Sequence, residues 1–288
     1  MEQVKDYNTF FRQLQKFKKE NSPVYTNFYL LGNKLKNIIS LGKLYYEASD
    51  SALIMCEDEG AYYQFYYCVR DKADIPLAAA DKTCACWLIW GDKTSEDDVL
   101  AQRNKIIGAG FEPVVKNIQY TMKIGERADT IRTNLASLTK KAECNGITLR
   151  YMEADDYEEL SALWHKCFDS FRIADISSEL ESLVAEKRIL LACGKENSGR
   201  GIIGSQFMDF QAGRTVHTHK TCVHTNCRGM GVGKLLVLAS LSDALKRGCT
   251  RWLVEVDEGN TPSLHMHFGA MGERPERTGG VAETFVRK

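Results

Sequence analysis

The segment with the strongest chemical character is Thr221–Lys234, where Gly229, Gly231 and Gly233 alternate with other residues between Arg228 and Lys234. Glycines let a backbone curl tightly and approach a ligand without Cβ contacts. The residues before the loop, Thr215–Val223, read as a strand. Those after it, Leu235–Arg247, read as a helix that Gly248 ends. This order aims the helix's free N–H groups and positive dipole end into the loop, which favours a phosphate or pyrophosphate. Two common phosphate patterns fail. GxxxxGK[ST] requires glycine at 228 and a hydroxyl at 235, where Arg228 and Leu235 stand; GxGxxG requires glycine at 234, where Lys234 stands.

What remains is Arg228-x-x-Gly231-x-Gly233 after a strand ending in Val223. It resembles the pyrophosphate loop, R/Q-x-x-G-x-G/A, of the GCN5-related N-acetyltransferases (GNAT). Downstream of the apolar strand Trp252–Val256, the residues Asn260, Ser263 and His267 resemble that family's Asn-x-x-Ala/Ser-x-x-x-Tyr helix. The order strand, loop, helix, strand, Asn-bearing helix matches across residues 147–288. Two positions depart from the pattern: His267 stands where the family commonly has Tyr, and Gly272 is followed by Glu273 rather than Phe.

The resemblance implies a mixed α/β, GNAT-like acyl-CoA N-acyltransferase fold. It implies acetyl-CoA as the cofactor and a primary amine, on a small molecule or a protein, as acceptor. Transfer would be by direct attack on the thioester in a ternary complex, with no protein nucleophile. It assigns the cofactor to Thr221, Cys222 and Val223 through main-chain groups, to the loop Arg228, Gly229, Met230, Gly231, Val232, Gly233 and Lys234, and to Asn260 and Ser263. Cofactor and amine would meet between two splayed parallel strands, Thr215–Val223 and Arg251–Val256, where one N–H stabilises the developing oxyanion.

An amine arrives protonated, so a base is needed. Glu255 is the first candidate and His219 the second, because imidazole titrates near neutral pH. His267 is the candidate to protonate the departing thiolate. Glu255 is equally read as a solvated strand carboxylate, and His267 as a hydrogen-bonded helix histidine. A cofactor-binding sensor or scaffold without turnover is the alternative function, and an interaction module with no working site is a third.

His217, His219, Cys222, His224 and Cys227 are dense enough to raise zinc. Strand alternation argues against it, since it sends His217 and His219 to one face and Cys222 and His224 to the other; no metal is expected. The Tyr-rich run Ala61–Cys68 has the composition of a stacking surface, but nearby Asp and Glu oppose nucleic acid, and a core strand or cleft lining is the better reading.

These sites need a scaffold, and the pattern supplies two. After residue 140, Ile147–Arg150, Ile189–Cys193, Gly201–Phe210 and Val281–Val286 read as further strands, with a turn at 196–199. Asp155–Phe168, Ser177–Lys187 and Pro262–Ala270 read as helices. In the first half, Phe10, Phe11, Leu14 and Phe17 mark a helix that Pro23 ends. Ala52–Glu57, Ala61–Arg70, Thr83–Trp90 and Pro113–Lys123 read as strands, and Ser95 caps a helix that stops at Gly108–Gly110. Ile131, Leu135 and Leu138 keep helical spacing in a connection over 125–145. Gly108, Gly110 and Phe111 resemble the family's ending, but no Arg-x-x-Gly-x-Gly loop is present. Residues 1–140 are therefore read as a degenerate GNAT-like or cap domain without a cofactor loop, and 141–288 as the acetyltransferase domain, a tandem arrangement.

Composition sets the outer limits. The chain has 288 residues with 38 Lys+Arg against 38 Asp+Glu, a balance that argues against a nucleic-acid binder. No apolar run approaches the ~20 residues that cross a bilayer, so no membrane partner is expected. The charged start has no signal-peptide core, which points to the cytoplasm and to reduced thiols. A homodimer is the remaining partner to look for. All six His follow residue 160, and ten of the twelve Tyr precede residue 140, so reactive side chains concentrate in the second half.

Overall fold

In a computed structural model, residues 1–30, 32–76, 81–173, 176–196 and 199–288 are described, those at 195, 196, 199 and 200 by backbone alone. The expected turn at 196–199 lies largely outside them. The chain divides into two compact units, Met1–Lys116 with Gly279–Lys288, and Asn117–Thr278. The sequence reading put one division at 140/141.

The first unit runs β1 (Glu2–Gln3), α1 (Tyr7–Glu20), β2 (Val24–Thr26), α2 (Gly32–Ser40), β3 (Leu44–Ala48), β4 (Ala52–Asp58), β5 (Tyr63–Arg70), β6 (Cys84–Trp90) and α3 (Glu96–Gly108). Asp6 and Ser95 cap α1 and α3 by accepting from the backbone N–H of Thr9 and Asp98, as short oxygen-bearing side chains do. Two apolar layers follow from strand alternation. Met55, Tyr66 and Cys68 pack with Phe10, Leu14, Leu35 and Ile38 of α1 and α2, while Cys56, Phe65, Tyr67 and Val69 pack with Ile106 and Phe111 on the α3 side. α2 and β3 were not anticipated.

The strand after α3, β7 (Glu112–Met122), supplies its residues 117–122 to the second unit. There follow α4 (Ala128–Cys144), β8 (Thr148–Tyr151), α5 (Tyr157–Cys167), α6 (Leu180–Ala185), β9 (Ile189–Glu196), β10 (Gly199–Gln211), β11 (Thr215–Val223), α7 (Val232–Lys246), β12 (Arg251–Asp257) and α8 (Thr261–Met271). The last strand, β13 (Glu276–Arg287), returns to the first unit, where Val281–Arg287 pairs antiparallel with β6.

Strand order is the same in both units. The first reads β1-β3-β4-β5-β6-β13 and the second β8-β9-β10-β11-β12-β7. Among the described residues, the strand pairings within either unit are antiparallel except one parallel pair each, β5 with β6 and β11 with β12. In the second unit Trp164, Leu160 and Leu163 of α5 and Leu183 of α6 cover one face with Phe207. α7 is apolar almost all round, as a helix wrapped by other elements must be: Val232, Leu235, Leu236, Val237, Leu238, Leu241 and Ala244 are buried. Among the described residues, no helix is long and apolar enough to cross a membrane.

Candidate functional site

The parallel pair of the second unit opens partway along. β11 and β12 pair from Thr215 with Arg251 to Thr218 with Val254. Beyond that, β11 continues to Val223 and β12 to Asp257 with no pairing between them, so the strands splay. A bulge causes the divergence. β10 and β11 lose register between Ser205 and Phe207, so that the extra residue falls between His219 and Cys222, and Lys220 there has φ 49, a left-handed conformation uncommon outside glycine. Gln206, fully buried, braces the bulge by accepting from Thr221 Oγ1 at 2.8 Å and donating to His219 O at 3.4 Å.

The bulge overturns one expectation. Alternation set Cys222 opposite His219, but the extra residue resets the parity. Cys222 packs with Phe207 and Trp164 in the α5 layer, the side on which Phe207 stacks against His219 at 4.5 Å. The alternation argument against zinc therefore does not hold, although among the described residues no group of three or more His, Cys, Asp or Glu is placed to hold a metal ion.

At the mouth of the splay lies the glycine loop. α7 begins at Val232, three residues before the expected start, so the loop is shorter and the helix N-terminus reaches into it. Leu235 is the first residue whose N–H donates into the turn, to Gly231 O at 3.0 Å. Ahead of it lie the first N–H groups of α7, at Val232, Gly233 and Lys234, which an α-helix leaves without partners inside the helix. Gly229 and Gly231 adopt φ 79 and 87, and a Cβ at 229 would stand in open space. A Cβ at Gly233 would instead meet Met266 Sδ of α8 at 2.3 Å, so glycine there lets two helices touch. A helix N-terminus reached through a glycine turn, with Arg228 and Lys234 on either side, fits a pyrophosphate. Arg228 Nε donates to Val223 O at 3.3 Å, and Lys234 lies over Gly269. Met230 is exposed and Val232 buried.

Asn260 caps α8 by accepting from Ser263 N–H at 3.1 Å. His267 lies one turn on, buried against Trp252, with Nδ1–H donating to Ser263 O at 2.8 Å and Nε2 enclosed without a partner. Burial pushes its pKa down to about 4, so the ring is neutral at pH 7. In that form Nε2 presents a lone pair, an acceptor rather than an acid.

His217, His219 and Glu255 come together on the α5 face. Glu255 is exposed beside Gln119 of β7, its cross-strand partner, with a contact of 3.5 Å. The two imidazole rings lie 5.2 Å apart. Burial, with the charge of His219, lowers His217 to about 4; burial, Lys220 and Arg188 lower His219 to about 3, while Glu255 raises both. Sequence reasoning missed Asp209, which meets His219 Nε2 at 2.8 Å. It also missed Cys167 at the end of α5: the neighbouring Cys222 thiol and Arg228 hold its pKa down, to about 7. No local signal marks either residue, because each acts only by crossing from another element.

The first unit has the same splay, but it is filled. β5 and β6 pair only from Tyr63 with Cys84 to Phe65 with Cys86. Asn27, buried at the end of β2, occupies the gap: its amide donates to Phe65 O at 3.1 Å, Cys86 Sγ at 3.2 Å and Trp87 O at 3.1 Å, and accepts from Tyr67 N–H at 2.7 Å.

A mixed sheet whose single parallel pair splays beside a glycine loop and helix N-terminus defines the GNAT type of acyltransferase fold. Residues 153–271 match the family model described as Acetyltransferase (GNAT) family. Among solved structures, a GCN5-related N-acetyltransferase from Sphaerobacter thermophilus is 14% identical, with 84% of this chain and 81% of that one covered at a TM-score of 0.50. A GCN5-related glucosamine N-acetyltransferase region of a fungal multi-domain GH3 β-N-acetylglucosaminidase is 12% identical, with 81% of this chain and 31% of that one covered at 0.51. At such identities the likeness speaks to the fold alone. No curated protein matches by sequence.

Proposed function

We propose that the protein is an acetyl-CoA-dependent N-acetyltransferase acting on a primary amine, with its site in the second unit. The observation that carries this reading is the splay beyond Thr218 and Val254 running into the glycine loop at the N-terminus of α7. The loop N–H groups, Arg228 and Lys234 would hold the pyrophosphate, and main-chain groups of Thr221, Cys222 and Val223, with Asn260 and Ser263 opposite, would line the arm. Bound acetyl-CoA would supply the acetyl group as a thioester open to direct attack by an amine in a ternary complex.

The protein's own part is placement and proton handling. Glu255, exposed on the α5 face, receives the proton shed by the incoming ammonium. His219, held neutral by burial, accepts a hydrogen bond from the amine and orients its lone pair. His267 keeps an acceptor turned into the interior beside α8, which supports pocket lining rather than thiolate protonation. The first unit, Met1–Lys116 with Gly279–Lys288, acts as a degenerate copy: where the second unit keeps its splay open, Asn27 closes that of the first.

Calorimetry with acetyl-CoA tests the reading. We expect one site per chain, with binding lost in Gly231→Trp, whose side chain blocks the loop at a positive φ. CoA release over an amine panel tests turnover, and Glu255→Gln should lower kcat by about 100-fold or more. Absence of acetyl-CoA binding by the intact protein overturns the proposal.

A further inference from the structure

Behind His219 stands a chain of contacts that reaches back through two further side chains. Asp209 on β10 receives His219 Nε2–H at 2.8 Å through one carboxylate oxygen. Its other oxygen is held by Arg188, which precedes β9. Arg188 is itself immobilised: Nε donates to Met208 O at 3.2 Å, the guanidinium lies over the Phe207 ring at 5.3 Å, and Glu186 approaches at 4.0 Å. The ring of His219 is clamped on its face by Phe207. Two elements, β10 and the entry to β9, thus converge to fix one imidazole, and the groups that face it are Asp209, Arg188, His217, Lys220 and Glu255.

We propose that Asp209, clamped by Arg188, is a positioning residue that locks His219 in the Nε2–H tautomer and so leaves the Nδ1 lone pair for the acceptor amine. The chemistry is one of donor counting. A carboxylate only accepts and a guanidinium only donates, so the line Arg188, Asp209, His219 has one consistent set of protons. A neutral imidazole with Nε2 donating must accept at Nδ1. The inference rests on the acetyltransferase reading for its consequence, but the tautomer itself does not.

The near-isosteric change has an unusual consequence at this site. In Asp209→Asn, Arg188 still claims the side-chain oxygen, so the amide NH2 turns to His219 and donates to Nε2. The imidazole must then carry its proton on Nδ1 and meet the amine with a donor. Asp209→Ala removes the constraint without imposing the wrong proton. A merely structural role ranks the variants the other way, because Asn preserves packing and Ala leaves a cavity.

The experiment is nitrogen NMR of the His219 ring at pH 7, paired with acetyl-CoA calorimetry and CoA release over the amine panel. We expect an Nε2–H signature in the intact protein, Nδ1–H in Asp209→Asn, and a loss of kcat on the order of 100-fold in Asn, at least as large as in Ala, with acetyl-CoA affinity unchanged. An Nδ1–H ring in the intact protein, or an Asn variant that keeps the intact tautomer, overturns the inference. Failure of the intact protein to bind acetyl-CoA instead overturns the functional reading and leaves the tautomer result standing.

Discussion

His217, His219 and His267 set the clearest solution behaviour of single side chains. Burial lowers them to about 4, about 3 and about 4, while an unfolded histidine titrates near 6.5. The unfolded chain therefore binds more protons than the folded one below pH ~6.5, so stability is full above that pH and falls as acid is added towards pH ~4. For His267 alone the loss is about 3 kcal/mol, at ~1.4 kcal/mol per unit. Urea unfolding at pH 7 and pH 4.5 measures it, and His267→Leu should flatten the slope; an unchanged slope would sink the assignment. The candidate residues at 228–234 were legible because glycine and arginine spacing is a local property. Asp209 and Arg188 were not, because their partner lies on another strand and the bulge at Lys220 decides which face His219 shares.

Elements were legible where apolar period and punctuation agree. Ser95 and Gly60 mark ends that their own chemistry dictates: one caps α3, the other takes φ 77 in the turn after β4. α2 and β3 were missed because Leu35, Ile38, Ile39 and Leu44 acquire meaning only against Phe10 and Leu14 of α1. Asn27 shows how one side chain substitutes for a missing strand pairing. Asn27→Ala would leave Phe65 O, Trp87 O and Tyr67 N–H unpaired in the interior, and such groups cost about 1–3 kcal/mol each. We expect a thermal midpoint lower by several degrees and still one acetyl-CoA per chain. A second equivalent of cofactor in that variant would mean that Asn27 alone closes the first splay.

For the chain as a whole, the division into units makes a sharp prediction about fragments. Residues 117–122 pair with β12 from Asp257 to Trp252, and α4 belongs to the same unit. A fragment 141–288 lacks both, which leaves β12 as a bare edge, and it carries a last strand whose partner is absent. A fragment 117–278 keeps the whole unit. Cooperative thermal unfolding and dispersed amide NMR signals are expected for 117–278 and not for 141–288; the reverse outcome would show that the unit does not depend on β7 and α4.

From the sequence alone came the glycine loop, the Asn-bearing helix, the paired α/β pattern and the family likeness of the second half. All of these rest on neighbours within a few residues, where backbone sterics and periodicity act directly. Only the tertiary structure decided which strand closes which unit, that β7 and β13 each complete the sheet of the unit in which the chain's other half lies, that Asn27 fills one splay while the other stays open, and that Asp209 stands behind His219. Those outcomes depend on hydrogen bonds between segments up to about two hundred residues apart, and the free energy of such pairings is set by geometry that no local window contains.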